Sequence, residues 1–267
     1  MQQLLSKPLG LILVLILINQ GYRWLQSGSD IATAPVVVSR QEGQMPISGN
    51  QRIANFQEAK KRARTIYRGM ERTFYCGCTY NESLVDHRSC GYKPEHEVAR
   101  AYRLEWEHVV PAAAFGGNLV AWQQGDPHCR QKNGRRFQGR RCARQVSAHF
   151  RHMEADLYNL VPEIGEMNQS RGTLGFQKHL MGGGLQRGSC ATLIGMDGVL
   201  PREEIRGFIA RTYHYMHAAY PGLELINEKN AELLREWAEK YPVSAEEEER
   251  GRRIAKVQGN RNPYLDN

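Results

Sequence analysis

Residues 105–116 read EWEHVVPAAAFG. Two acids and a histidine interrupt a run that otherwise has strand composition, for the longer stretch YRLEWEHVVP (102–111) is rich in β-branched and aromatic residues. Glu107 and His108 are adjacent. In a regular strand they point to opposite faces, so they serve one site only where the strand twists or ends, and Pro111 predicts an end. A second strand is expected over ADLYNLVP (155–162). Pro162 then opens a short helix in EIGEMNQS, where proline suits the first turn and the acids suit the positive end.

Helical spacing places Ala59, Ala63, Ile66 and Met70 on one face of EAKKRARTIYRGM (58–70). It does the same for Ile205, Phe208, Ile209 and Met216 in 202–220, and for Leu233, Leu234 and Trp237 in 227–240, which Pro242 stops. The acids of EEEE (246–249) read as a solvated face. Strand, long loop, strand and helix, with helices on either side, predict the α+β class: a small antiparallel sheet with flanking helices.

At 267 residues with 41% hydrophobic side chains, the chain buries a real core. Its net charge of +8 points to an acidic partner such as nucleic acid, an anionic membrane surface or an acidic polysaccharide. The charge is concentrated. Residues 128–152, HCRQKNGRRFQGRRCARQVSAHFRH, hold eight Lys or Arg and no Asp or Glu, which favours a phosphate-binding loop over a solubilising one. His149 and His152 in that loop are expected to meet phosphate or solvent rather than a metal.

Lys7 precedes the ten-residue apolar run LGLILVLILI (9–18), the length of a signal-peptide core and short for a bilayer span. Residues 1–26 therefore read as a signal peptide or an uncleaved N-terminal anchor, 27–50 as a linker rich in Ser, Gly, Gln and Pro, and 51–267 as the functional domain. The membrane enters only through that N-terminal segment. Six cysteines in an exported chain favour disulfides over the zinc site that CGCTYNESLVDHRSC (76–90) imitates. Cys129 with Cys142, closing the basic loop, is the expected pair; the other four are unassigned.

Cutting a phosphodiester needs a base for water, charge on the phosphate and help for the departing oxygen. Imidazole, arginine and a hard cation held by Glu and Asn oxygens supply these. The chain offers His108, Glu107, Asn168 and the loop arginines close to the strand-loop-strand-helix unit.

Those residues also carry a family resemblance. FYCGC (74–78), RLEWEHVVPAAAFG (103–116), MEADLYNLVPEIGEMNQSRG (153–172), RGFIARTYHYM (206–216) and RIAKVQGNRNPY (253–264) resemble, in order, bacterial endonuclease I. These are periplasmic or secreted nucleases with a ββα-metal, or His-Me finger, active site. The resemblance implies a disulfide-containing monomer that cleaves DNA, and RNA as well, with little sequence preference, using one Mg²⁺ and leaving 5′-phosphates. His108 matches the general base, Glu107 and Asn168 the metal ligands, and the Glu154 carbonyl is the candidate to orient His108. Arg140 in QGRRC is the nearest match to the phosphate-holding arginine, with Arg141 and Arg136 as alternatives. Lys132, Arg135, Arg136, Arg141 and Arg144 are expected to bind nucleic acid. Glu105 reads as structural, and Glu166 as a rival ligand beside Asn168. The family's cysteine next to Trp122 is Ala121 here, and NPYLDN lacks one, so the disulfide pattern must differ. A catalytically silent DNA-binding module and a zinc-stabilised RNA-binding protein are the competing classes.

Overall fold

The computed structural model describes residues 47–266, so the signal or anchor segment and most of the linker lie outside the described residues. Residues 47–50 belong to the folded unit rather than to a linker. Asn50 is fully buried, its N–H donating to Asp156 Oδ2 (3.2 Å) and Tyr220 Oη (2.8 Å).

In chain order the elements are α1 (Phe56–Ile66), β1 (Tyr80–Asn81), β2 (Leu84–Val85), α2 (Ala99–Tyr102), β3 (Leu104–His108), α3 (Ala112–Gly116), α4 (Val120–Gln123), α5 (Arg140–Val146), α6 (Ala148–Glu154), β4 (Leu160–Ile164), α7 (Gly165–Arg171), β5 (Leu193–Ile194), β6 (Val199–Leu200), α8 (Arg206–Ala219), α9 (Ala231–Lys240) and α10 (Ala245–Gln258). Three two-stranded antiparallel ladders, β1–β2, β3–β4 and β5–β6, sit among helices, the expected α+β class.

Local chemistry sets the boundaries. Asn55 accepts the Glu58 N–H (3.0 Å) and caps α1, which buries Ala59, Ala63 and Ile66 as their spacing predicts. The second strand starts later than expected. Asp156 accepts the Tyr158 N–H (3.0 Å) and opens a 3-10 turn over Leu157–Asn159, so the chain becomes extended only at Leu160. Pro162 lies inside β4, opposite Trp106, and does not start the helix. Its carbonyl faces away from β3 to accept the Phe74 N–H (2.9 Å), so its missing N–H falls where the ladder needs no donor.

The basic segment is also less of a loop than its composition implies. A turn bridged by Arg130 and Arg136 leads into α5 and α6, and the expected Cys129–Cys142 disulfide fastens it with Cα atoms 5.5 Å apart. Cys76–Cys190 and Cys78–Cys90 complete the set, leaving no thiol for the zinc alternative.

The acidic run at 246–249 opens α10. Ser244 Oγ accepts the Glu247 N–H (3.1 Å), and Glu246 and Glu248 face solvent as expected. Glu247 does not: it is buried against Arg211, whose Nε lies 2.9 Å from Oε1. Behind β4, Asp156 is wholly buried yet fully partnered, accepting from Asn50, Tyr158, Tyr215, Tyr220 and Gln258. It ties the start of the described chain, α8 and α10 to the segment that positions the site.

Candidate active site

β3 ends at His108, and the next N–H, of Val109, bonds the Asn159 carbonyl (3.0 Å). Around that end lies a cleft of about 350 Å³ lined by Glu107, His108, Arg140, Asn168, Arg171 and Trp122, among others. The adjacent acid and imidazole thus share one cavity despite strand alternation. A wider hollow of about 810 Å³ beside α10 is lined by Glu248, Glu249, Arg252, Arg261 and Asp266. Both of its arginines pair with acids and Glu248 remains over, so it presents no positive charge to a polyanion.

His108 is buried. Its Nε2 lies 2.8 Å from the Glu154 carbonyl; a carbonyl only accepts, so Nε2 carries the proton and Nδ1 keeps its lone pair. Phe56, from the first turn of α1, stacks on the ring at 5.0 Å, and Phe115 covers another side at 5.9 Å. Arg140 Nη2 is 3.5 Å from Nδ1. Burial first and the Arg140 charge second push the imidazole down to about 3, so the neutral form prevails at ordinary pH.

Glu154 acts twice. Its carbonyl holds His108 while its buried carboxylate binds Arg140 Nε (2.6 Å) and Arg144 Nε (2.7 Å). One residue at the end of α6 therefore sets both the imidazole and the guanidinium beside it.

Glu107 is buried, and Oε1 takes both of its side-chain hydrogen bonds, from Arg171 Nη1 (2.7 Å) and Tyr75 Oη (3.3 Å). Oε2 is left for the cleft. Burial raises the carboxyl and Arg171 opposes that shift. Asn168, on α7, donates Nδ2–H to Glu105 Oε2 (3.0 Å), and Oδ1 has no partner among the described residues. Glu105 in turn is gripped by Arg100 (3.0 and 2.8 Å) and Arg103 (2.6 Å). The acid read as structural is so placed that it orients the neighbouring amide.

The structure brings Glu107, His108, Arg140 and Asn168 to one cleft and leaves the remaining sequence candidates elsewhere. Lys132, Arg135, Arg136 and Arg141 are exposed on the basic turn and the start of α5, outside the cleft lining. Arg141 lies over the Phe137 ring (4.2 Å), and Arg144 is engaged by Glu154. Glu166 is withdrawn from the cleft, accepting from Tyr92 Oη and the Glu95 N–H (3.1 Å), which removes it as a rival ligand. His149 is exposed beside Tyr220.

Four contributors escaped the sequence reading: Phe56, Tyr75, Phe115 and Arg171. Phe56 lies outside every quoted motif and carries no periodic signal, while Tyr75 lies in FYCGC without being singled out there. Arg171 sits three residues after Asn168 on the same short helix, which was a usable hint.

A buried, proton-poised imidazole next to an arginine and two free oxygens defines a hydrolase site for an anionic substrate. Comparison with known proteins narrows this. The Endonuclease I family model matches residues 53–267. A periplasmic deoxyribonuclease of Aeromonas hydrophila is 39% identical over 223 residues, 81% of this chain and 87% of that protein. An extracellular deoxyribonuclease of the same organism is 39% identical over 221 residues, 80% and 89% of the two chains. Endonuclease-1 of Buchnera aphidicola subsp. Acyrthosiphon pisum (strain APS) is 36% identical over 219 residues, 80% and 81%. The chain belongs to the endonuclease I family and is an endonuclease.

Proposed function

We propose that the protein is an exported, Mg²⁺-dependent endonuclease that hydrolyses DNA and RNA to 5′-phosphate products, with β3, β4 and α7 as its ββα-metal (His-Me) finger. The observation that carries this reading is the fixed tautomer of His108, whose unprotonated Nδ1 lies beside Arg140 at the cleft. Export is supported by three disulfides and by relatives named periplasmic or extracellular.

His108 Nδ1 takes the proton of the attacking water, and the Nε2–H bond to Glu154 stabilises the imidazolium that forms. Arg140, steadied by Glu154, holds the non-bridging oxygens of the phosphate. Phe56 and Phe115 keep bulk water from the ring. Among the described residues no three His, Cys, Asp or Glu cluster as a metal cage. Two free hard oxygens, Glu107 Oε2 and Asn168 Oδ1, fit a cation that retains most of its water, as Mg²⁺ does. When bound, Mg²⁺ supplies positive charge against the charge that builds on the phosphate and the departing oxygen.

Purified protein with supercoiled plasmid is expected to nick it in Mg²⁺ and not in EDTA. Nicking indifferent to EDTA, or none in Mg²⁺, would overturn the metal-dependent reading.

Glu105 gives a sharper check on the donor set. Glu105→Ala frees the Asn168 amide to rotate, and Mg²⁺ affinity read by calorimetry is expected to fall roughly 10-fold, the scale of effects from residues that orient a ligand. Unchanged affinity removes Asn168 Oδ1 from the donor set.

A further inference from the structure

We propose that Lys60 and Arg64, on α1, form a second phosphate subsite beside the cleft, which binds a non-scissile phosphate of the same strand; this rests on the nuclease reading above. Neither residue belongs to the basic segment 128–152, and the family motifs above begin beyond α1.

The helix FQEAKKRARTI buries Ala59, Ala63 and Ile66 and turns its cations outward. Four lie between residues 60 and 64. Arg62 is spent on Glu58 (3.4 Å), whereas Lys60 and Arg64 have no ion pair among the described residues. They are four apart, hence neighbours on one helix face. Lys60 is likewise one turn beyond Phe56, the residue that stacks on His108.

The Phe56 ring joins this pair to the catalytic cleft. Lys60 Nζ lies 5.1 Å from its centroid and the Arg140 guanidinium 5.6 Å, so both cations flank the ring that covers the base. Partial burial, then repulsion from Arg64 and Arg144, hold the Lys60 ammonium below the usual lysine value; Glu105 and Glu154 act against this. Those two carboxylates are already engaged, Glu105 by Arg100 and Arg103, and Glu154 by Arg140 and Arg144. Among the described residues, Lys60 and Arg64 therefore add positive charge that no ion pair neutralises.

Holding like charges together is unfavourable unless an anion sits among them. A polynucleotide supplies that anion without a second ligand, because a phosphate over His108 is followed along the strand by others. Lys60 reaches the edge of the cleft through the Phe56 ring that it shares with Arg140, which favours the polymer over free phosphate.

The test is binding without cleavage. A fluorescent single-stranded oligonucleotide is titrated by anisotropy in EDTA over a series of salt concentrations. The protein and the double variant Lys60→Met, Arg64→Gln are compared; methionine keeps the stem that packs beside Phe56. Loss of two phosphate contacts is expected to flatten the slope of log K against log salt by about 1.4, at roughly 0.7 per contact on a single strand. A control pair, Lys229→Gln with Lys240→Gln, removes the same charge outside the cleft lining and is expected to leave the slope unchanged. Inorganic phosphate as competitor reports the source: weak competition supports a polymer site, and complete displacement at equimolar phosphate argues for a free-phosphate site. An unchanged slope in the cleft variant, or an equal change in the control, overturns the subsite. Plasmid nicking separates the two levels, because a protein that nicks in Mg²⁺ while its salt slope ignores Lys60 and Arg64 keeps its catalytic site and loses only the subsite.

Discussion

Replacing His108 with alanine is expected to lower kcat/KM on plasmid DNA by about 10²- to 10⁴-fold, the usual contribution of a positioned general base. The ring is held by one hydrogen bond to the Glu154 carbonyl and by Phe56 and Phe115, so alanine removes a lone pair that the fold holds in place. Its pH dependence carries a distinct signature. The active form is neutral, and burial together with Arg140 depresses the imidazole to about 3. Protonation removes the base, so a lower value extends activity downward in pH. The acid limb of kcat/KM, which reports the free enzyme, is expected well below the ordinary histidine value of about 6.5. Arg140→Gln removes a charge that opposes protonation and should move that limb upward. A limb near 6.5 in the unmodified protein, or full activity in His108→Ala, would show that another group takes the proton.

The second large effect is on stability. Arg171 is only 1% exposed and donates to Glu107 Oε1 (2.7 Å) and to the carbonyls of His108 (2.8 Å), Val109 (2.6 Å) and Leu174 (3.1 Å). It joins the end of α7 to the end of β3. Arg171→Met leaves a buried carboxylate without its counter-charge and several carbonyls without donors, which typically costs 3–5 kcal/mol. Urea unfolding with the disulfides intact should show this as a lowered midpoint at unchanged slope. Adding Glu107→Gln should return part of the loss while activity stays absent, since the cleft has lost one of its free oxygens. A loss below about 1 kcal/mol in Arg171→Met would mean that the pair is not the link inferred from its geometry.

Much of the site is local in sequence and therefore legible there. Glu107 and His108 are adjacent, Pro111 marks where the strand stops, and Asn168 follows the second strand on a short helix. The helices with clear apolar spacing formed near their expected places, because periodic burial does not depend on what the helix packs against. Boundaries were less legible. A side-chain cap at Asp156 delayed β4, and an outer-edge carbonyl let Pro162 sit inside it. The basic segment misled because charge reports affinity for anions, not backbone conformation: α5 and α6 form within it, and Arg144 turns inward to Glu154.

By itself the sequence determined the α+β class, the Cys129–Cys142 closure, the concentrated positive charge and the residue types available for hydrolysis. These follow from local spacing and composition, which need no knowledge of distant neighbours. Only the tertiary structure decided which nitrogen of His108 is unprotonated, which oxygens of Glu107 and Asn168 are without a hydrogen bond among the described residues, and that Phe56 and Lys60 arrive beside them from another helix. Those outcomes depend on hydrogen bonds and ring contacts between residues far apart along the chain. A side chain's free atom is fixed by what its other atoms already hold.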